Sequence, residues 1–347
     1  MIAQCYAICN APAKGPVKAQ GEVDIVKSKK EKGIVISILL ACALLAVTAN
    51  TFFQIGQQSA VKKQSRRFGA TYMTMNNPVY EVIDNEIRSE VEAEGDQLIT
   101  RDPALDVNKQ IQQMRDFIRM RVGAIFLNPV DIYRLHAVLL EAKQAGIPVV
   151  IVDSEVSDQN LVSCSIVSDN YGAGVLCAKH LMQSMKAANI LLLEHKSAQS
   201  AVDRIQGFEN TLHGHAAYRI VGRGDCTGQL EKAMPVVEHM LQEEPAANVV
   251  MALNDPSALG SMAALKGHNL LQKFSVFGVD GSPEAKKMIQ AGHMTATVAQ
   301  FPSKIGKTAV QQMYRLIEGK TYRKRCVIPV QLITRENIGN FALDSWQ

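Results

Sequence analysis

The chain has 347 residues, enough for about two domains with sizeable cores. Lys and Arg number 37 against 33 Asp and Glu, a formal net charge of +4, but ten of the cations and only three of the anions fall in residues 1–67. From Phe68 onward the balance is 27 against 30, slightly acidic, which excludes the basic folded face that a nucleic-acid binder needs. The seven cysteines (5, 9, 42, 164, 177, 226 and 326) show no CxxC and no metal-ligand spacing, so they read as unpaired structural thiols rather than a disulfide framework. If the body lies outside a membrane, such thiols suggest a reducing or anaerobic setting.

Residues 1–32 carry no apolar periodicity and end in Lys27-Ser28-Lys29-Lys30-Glu31-Lys32, which predicts a disordered basic N-terminus. Residues 33–53 contain no charge at all and are long enough to cross a bilayer. They read as a transmembrane anchor or, alternatively, a signal peptide with Ile34–Ala46 as its apolar core and Val47-Thr48-Ala49 as its cleavage site. Leu39-Leu40-Ala41-Cys42 has a looser likeness to a lipoprotein signal and ranks third, because apolar residues continue past the cysteine. Translation from Val26 would leave an ordinary short basic leader and account for the featureless first 25 residues; mass spectrometry of the native N-terminus distinguishes the two starts. Polar, basic residues 54–67 predict a linker.

Strands and helices then alternate. An apolar run at Phe68–Met73 precedes Asn77-Pro78, an N-cap followed by proline at the first helical position. Strands are expected near Gln97–Thr100, Val122–Leu127 and Ile147–Val152, with helices at Leu105–Met120 and Ile132–Ala145. After Ser168-Asp169-Asn170 the pattern repeats, with helices Tyr171–Met185, Ser200–Leu212 and Gln229–Leu241 and strands Asn189–Leu193 and Tyr218–Val221. Helix Ser303–Glu318 and one strand, Val327–Ile333, end the chain. Two successive β-α runs without a long linker predict an α/β protein of two Rossmann-like lobes with parallel sheets.

The most informative stretch is Asn248–Pro302. Three short apolar runs (Val249–Leu253, Phe274–Val279 and Thr295–Ala299) end at Asn254-Asp255, Asp280-Gly281 and Gln300. Right-handed crossovers put these tips on the carboxyl edge of one sheet, where open α/β sheets bind ligands. An amide, a carboxylate and a second amide therefore converge, although each could also simply cap the following helix.

At these residues the chain resembles the periplasmic sugar-binding proteins of the ribose-binding type and the related ligand-binding halves of lactose-repressor-family regulators. The resemblance rests on Ala252-Leu253-Asn254-Asp255, Val279-Asp280-Gly281-Ser282-Pro283 and Val298-Ala299-Gln300-Phe301-Pro302. Upstream it includes Met75-Asn76-Asn77-Pro78, Phe126-Leu127-Asn128-Pro129, Val152-Asp153, Val167-Ser168-Asp169-Asn170 and Arg204-Ile205-Gln206-Gly207-Phe208, in order from about Phe68 onward. It implies a type I periplasmic binding fold with a three-segment hinge. The N-terminal lobe would be 68–168 plus 301–326, and the C-terminal lobe 169–300 plus 327–347.

The resemblance further implies that Asn77, Asp153, Asn254, Asp280 and Gln300 hydrogen-bond a sugar or polyol in the interlobe cleft and that Tyr80 stacks on it, with no cofactor. Asn77 has an N-cap alternative of nearly equal weight. Two family guanidinium positions fall at Ser154 and Val202, and Arg204, about 200° round the helix from Val202, reads as a structural residue at a helix surface. That pattern points to a neutral ligand. Cys226 stands where the family has an aromatic, thinning the apolar sandwich. Asp102 reads as a solvated loop carboxylate, Arg223-Gly224-Asp225 as a turn between elements, and His213 and His215 as part of a solvated turn.

No catalytic or phosphate-loop motif is present, so the expectation is a binding protein, not an enzyme. It would lie outside the cytoplasm, anchored or secreted, and deliver its ligand to an ABC importer permease. The alternative is a sensory domain signalling to a chemoreceptor or a membrane histidine kinase. A repressor is disfavoured because the apolar segment 33–53 stands where a DNA-binding domain would be.

Overall fold

The computed structural model describes residues 33–38, 40–51 and 65–347. The expected disordered N-terminus, the Val26 start and the linker up to residue 64 lie outside the described residues. The chain divides into two units, Met1–Gln64 and Ser65–Gln347.

The first unit contributes helix α1, Gly33–Thr51, with a mean hydropathy of 2.3 and none of that apolar window buried in protein. Its hydroxyls bond back to carbonyls of the preceding turn: Ser37 to Gly33, Thr48 to Leu45, and Thr51 to Val47 and Thr48. A helix that satisfies its own polar groups is compatible with hydrocarbon. By length and composition it can cross a bilayer.

The second unit begins with β1 (Arg67–Thr71), α2 (Pro78–Ala93), β2 (Gln97–Arg101), α3 (Val107–Arg119), β3 (Ile125–Leu127), α4 (His136–Gln144), β4 (Val149–Asp153) and β5 (Cys164–Ser168). It continues with α5 (Asn170–Ser184), β6 (Ala188–Glu194), α6 (Gln199–Leu212), β7 (Tyr218–Asp225), α7 (Leu230–Glu243), β8 (Val249–Ala252), α8 (Asp255–Gly267), β9 (Ser275–Asp280), α9 (Pro283–Gln290) and β10 (Ala296–Ala299). Helix α10 (Pro302–Ile317) and strands β11 (Arg325–Ile328) and β12 (Gln331–Thr334) complete it.

Two six-stranded sheets result, in the orders β11-β5-β4-β3-β1-β2 and β12-β10-β9-β8-β6-β7. Every pairing is parallel except β10 with β12. The central strands are buried on both faces, which is why β4 (Val-Val-Ile-Val-Asp) reads as a continuous apolar run without alternation. Each sheet is doubly wound with its order reversing beside its first strand, β1 next to β3 and β6 next to β8, and the crevice outside such a switch point is where this fold binds ligands.

The chain passes between the sheets three times, after Ser168, after Ala299 and after Ile328. The single strand expected at Val327–Ile333 is in fact two, one in each sheet. Pro329, which has no N–H for a ladder, lies between them. The expected lobe boundary after Cys326 therefore falls inside β11, where Val327 and Ile328 pair with Val167 and Ser168. Strand β5 was not anticipated as an element. Arg223-Gly224-Asp225, expected as a turn, lies in β7 and pairs with Leu192, Leu193 and Glu194.

Helices form where caps and periodicity direct. Asn77 caps α2, its Oδ1 accepting from Val79 N at 3.1 Å, and Val79, Ile83, Ile87 and Val91 recur every four residues as the buried face. Helices α5 and α6 cross closely. A Cβ on Gly174 would stand 1.9 Å from the Arg204 carbonyl oxygen, and one on Gly207 would stand 2.1 Å from that of Tyr171. The crossing turns Ala201, Arg204, Ile205 and Phe208 inward.

Candidate functional site: a closed cleft with two facing carboxylates

All six residues expected to contact ligand (Asn77, Tyr80, Asp153, Asn254, Asp280 and Gln300) line one narrow cavity between the sheets. Asn77 and Tyr80 follow β1 and Asp153 ends β4 in the first lobe; Asn254 follows β8, Asp280 ends β9 and Gln300 follows β10 in the second.

Four hydrogen bonds close the cleft across its mouth. Ile132 N donates to Ser197 O (3.1 Å) and Ser197 Oγ to Val130 O (3.3 Å). Ser200 N donates to Ser154 Oγ (3.1 Å), and Asn76 Nδ2 to Gln229 Oε1 (2.8 Å). Ser154, at a family guanidinium position, thus ties the lobes together by its hydroxyl.

The two strand-end aspartates share a conformational peculiarity. Asp153 has φ +65° and Asp280 φ +145°, regions that favour glycine. Asp153 is the centre of a γ-turn closed by Ser154 N to Val152 O at 2.8 Å. Such backbone conformations cost about 1–3 kcal/mol each and persist at ligand sites, where the surrounding structure enforces them. Here they end each strand with a carboxylate turned into the cavity.

Asp153 Oδ2 accepts from the Tyr80 hydroxyl (3.3 Å) and Asn128 Nδ2 (3.2 Å). Asp280 Oδ1 accepts from Gln300 Nε2 (2.8 Å), whose own Oε1 accepts from Ser168 Oγ (2.7 Å). Asp153 Oδ1 and Asp280 Oδ2 are buried with no hydrogen-bond partner among the described residues. Because an unsatisfied buried polar atom is costly, these two oxygens stand out as acceptors left unfilled on residues that line the cavity.

Between the carboxylates lies Arg204, which corrects the surface role expected of it. It is 3 % exposed. Its Nη1 is 3.7 Å from Asp280 Oδ1 and its Nη2 3.9 Å from Asp153 Oδ1. Nε donates to Asn170 Oδ1 (2.9 Å) and Nη1 to Leu253 O (3.0 Å), so the guanidinium is fixed. Val202 faces a different depression, with Glu194 and Lys196. The sequence did carry a signal for Arg204: it sits three residues after Ala201 and four before Phe208, on the apolar face of its own helix.

Asn254 lines the cavity but works mainly as the cap of α8. Its Oδ1 accepts from Ser257 N and its Nδ2 donates to Gly228 O, both at 3.0 Å. The Tyr80 ring stacks on Tyr72, with centroids 6.1 Å apart and an interplanar angle of 23°. Gln229, Ser200 and His195 also line the cavity and were not anticipated. Cys226, buried with its Sγ 3.2 Å from Ser257 Oγ, is not among the lining residues. Among the described residues no cluster of His, Cys, Asp or Glu could hold a metal ion.

Burial dominates the electrostatics. It pushes the Asp280 carboxyl well above the usual carboxylate range, opposed by Arg204 and reinforced by Asp255 and Asp153. Asp153 is raised for the same reason, with Arg204, Tyr80 and Asn128 opposing. Buried Asp255, which holds Ser282 N (2.8 Å) and Thr297 Oγ1 (2.6 Å), is also raised. A carboxyl whose folded pKa is raised contributes stability that is full below its unfolded pKa and is lost as pH rises through the folded value. His195, lowered by burial, acts in the opposite sense but is neutral in both states above about pH 7. Above the usual carboxylate range, rising pH should therefore cost the unliganded protein stability through these buried carboxyls and lower its melting temperature, and Asp280→Asn should flatten that slope. An equal slope in wild type and variant would contradict this assignment.

Two doubly wound lobes joined by three chain segments and closed over a polar cavity define a two-lobed binding protein. The model of the periplasmic binding protein domain matches residues 68–321, and the chain belongs to that family. It is 29 % identical over 308 residues to the ribose import binding protein of Bacillus subtilis, covering 87 % of this chain and 99 % of the relative. Over 240 residues it is 29 % identical to a D-ribose/D-allose-binding protein of Pseudomonas aeruginosa, covering 66 % of this chain and 75 % of the relative. Among solved structures it resembles an ABC transporter solute-binding protein of Mycobacterium smegmatis with bound glycerol (TM-score 0.76, 27 % identity, 82 % and 100 % of the two chains). It also resembles the arabinose-binding component from Shewanella, bound to L-arabinofuranose (TM-score 0.74, 27 % identity, 79 % and 93 %).

Proposed function

We propose that this protein is an extracytoplasmic solute-binding protein, not an enzyme, that captures a small neutral sugar or polyol between its lobes and delivers it to an ABC importer. The observation that carries this reading is the pair of buried carboxylate oxygens without a hydrogen bond, Asp153 Oδ1 and Asp280 Oδ2, on residues of the two lobes that line a single cavity. Ligand hydroxyls that donate to both would hold the lobes closed, and binding energy would thereby become closure. The relatives that import ribose and bind allose or arabinose support the ligand class.

Charge argues for neutrality. One guanidinium already serves two carboxylates and two neutral acceptors, so an anionic ligand would add repulsion without finding a free cation. A thermal-shift screen of pentoses, hexoses, polyols and sugar phosphates tests the reading. A ligand at a hundred times its dissociation constant stabilises by about 2.7 kcal/mol, which a melt resolves. Neutral compounds should shift the melt; a shift from phosphorylated or acidic compounds alone would overturn the reading.

For α1 we favour retention as an anchor, since residues 54–67 read as a basic spacer between membrane and lobes. The native protein should stay with the membrane pellet after carbonate extraction; a soluble form beginning near Asn50 would instead mark a cleaved signal peptide.

A further inference from the structure

A second cavity, roomier than the first, opens beside it and shares Asn77, Gly228, Gln229 and Asp280 with it. Where the inner cavity is lined by carboxylates, much of the outer one is apolar, walled by Pro78, Leu230, Pro256, Leu259 and Trp346. Glu231 and Glu284 also line it. Asp280 stands where the two meet, and its Oδ2 is one of the partnerless oxygens.

Trp346 is the only tryptophan in the chain, and the protein holds it there by an unusual device. Lys286, with no exposed surface, donates its Nζ to the carbonyl oxygens of Ala342 and Ser345. Its neighbour Lys287 pairs with Asp344 at 2.7 Å. Burying an ammonium is costly unless its hydrogen bonds are made, and here the bonds that satisfy it hold the tail that carries the indole. The indole is only partly buried against the hydrophobic core, and it also lines the cavity joined to the sugar site. An aromatic wall in a concave site with acceptors is the arrangement that receives the apolar face of a ring bearing hydroxyls at its edge.

We propose that the protein takes a two-ring glycoside, with one sugar ring in the inner cavity, hydrogen-bonded to Asp153 and Asp280 beside the guanidinium of Arg204, and the second ring in the outer cavity against Trp346. The proposal rests on the sugar-binding reading above and specifies its ligand. Glu231 and Glu284 accept from hydroxyls of the outer ring. The Asn76–Gln229 hydrogen bond, between a residue of the outer cavity and one common to both, closes across the lobes over the glycosidic link.

The indole is its own reporter. The full chain is titrated with α- and β-linked disaccharides, aryl glycosides and the parent monosaccharides, following tryptophan emission and, independently, calorimetric affinity. A two-ring glycoside should bind roughly tenfold or more tighter than its monosaccharides and shift the emission, as a ring contact of this kind warrants. Trp346→Ala should lower the ratio of two-ring to one-ring affinity about tenfold, and Trp346→Tyr should restore most of it. If monosaccharides bind and no two-ring compound binds better, or if the ratio survives Trp346→Ala, the outer subsite is refuted while the sugar reading stands. If no carbohydrate of either size binds, both are refuted.

Discussion

Replacing Asp280 with alanine should weaken binding of a neutral sugar by ten- to a hundredfold. A hydrogen bond to a charged group contributes roughly 1.5–3 kcal/mol, one to two decades in dissociation constant. Asp280 lines both cavities, its Oδ2 is buried without a hydrogen bond, and Gln300 holds its other oxygen in place. Asp280→Asn keeps the shape while removing the charge and one acceptor, so its loss should be smaller. The unliganded variants should be no less stable than wild type and more stable at alkaline pH, because the wild-type carboxyl is buried at a cost that its raised pKa records. Lower affinity with preserved or higher stability is the expected signature of a residue retained for binding. Calorimetry and a pH series of melts measure both halves; affinity unchanged in Asp280→Ala would remove Asp280 from the site.

Arg204→Met should have the larger effect on folding. The substitution leaves the buried carboxylates of Asp153 and Asp280 without their shared cation, and Asn170 Oδ1 and Leu253 O without that donor. Removing one partner from a buried ion cluster typically costs about 3–5 kcal/mol. For a folded body of this size that lowers the melting temperature by roughly 6–15 °C. The deficit should shrink towards pH 5, where the stranded carboxylates take up protons, and grow towards pH 8. A loss that is the same at both pH values would mean that Arg204 serves by packing alone.

The fold was legible in the sequence because parallel strands buried on both faces appear as uninterrupted apolar runs, each ending at a polar tip. The expected ligand residues line the same cavity because Asp153, Asn254, Asp280 and Gln300 stand at strand ends or just past them, and Asn77 and Tyr80 at the start of the helix that follows β1, and the topology gathers such positions along one edge. What escaped was set by contacts distant in sequence. Arg204 looked like a surface residue because an arginine is normally exposed, yet its position in the Ala201–Phe208 repeat and the close approach at Gly174 and Gly207 place it inside. The split of the last strand was hidden because β11 and β12 are separated by only two residues while belonging to different sheets. Asn254 showed the limit of motif reading, since a cavity-lining amide can also be an ordinary helix cap.

The three passages of the chain between lobes bear on the order in which this molecule can form. The first sheet is not complete when residue 168 has been made: its edge strand β11 arrives about 160 residues later, and α10, which packs on α2, shortly before it. The second sheet likewise waits for β12, which closes against β10. Neither lobe can be finished from a contiguous segment, so the fragment 68–168 lacks a strand and a covering helix. Pairings this distant in sequence are slow to form, because loop closure precedes the contacts that reward it. Both lobes therefore stay incomplete until almost the whole length of the chain is available to fold.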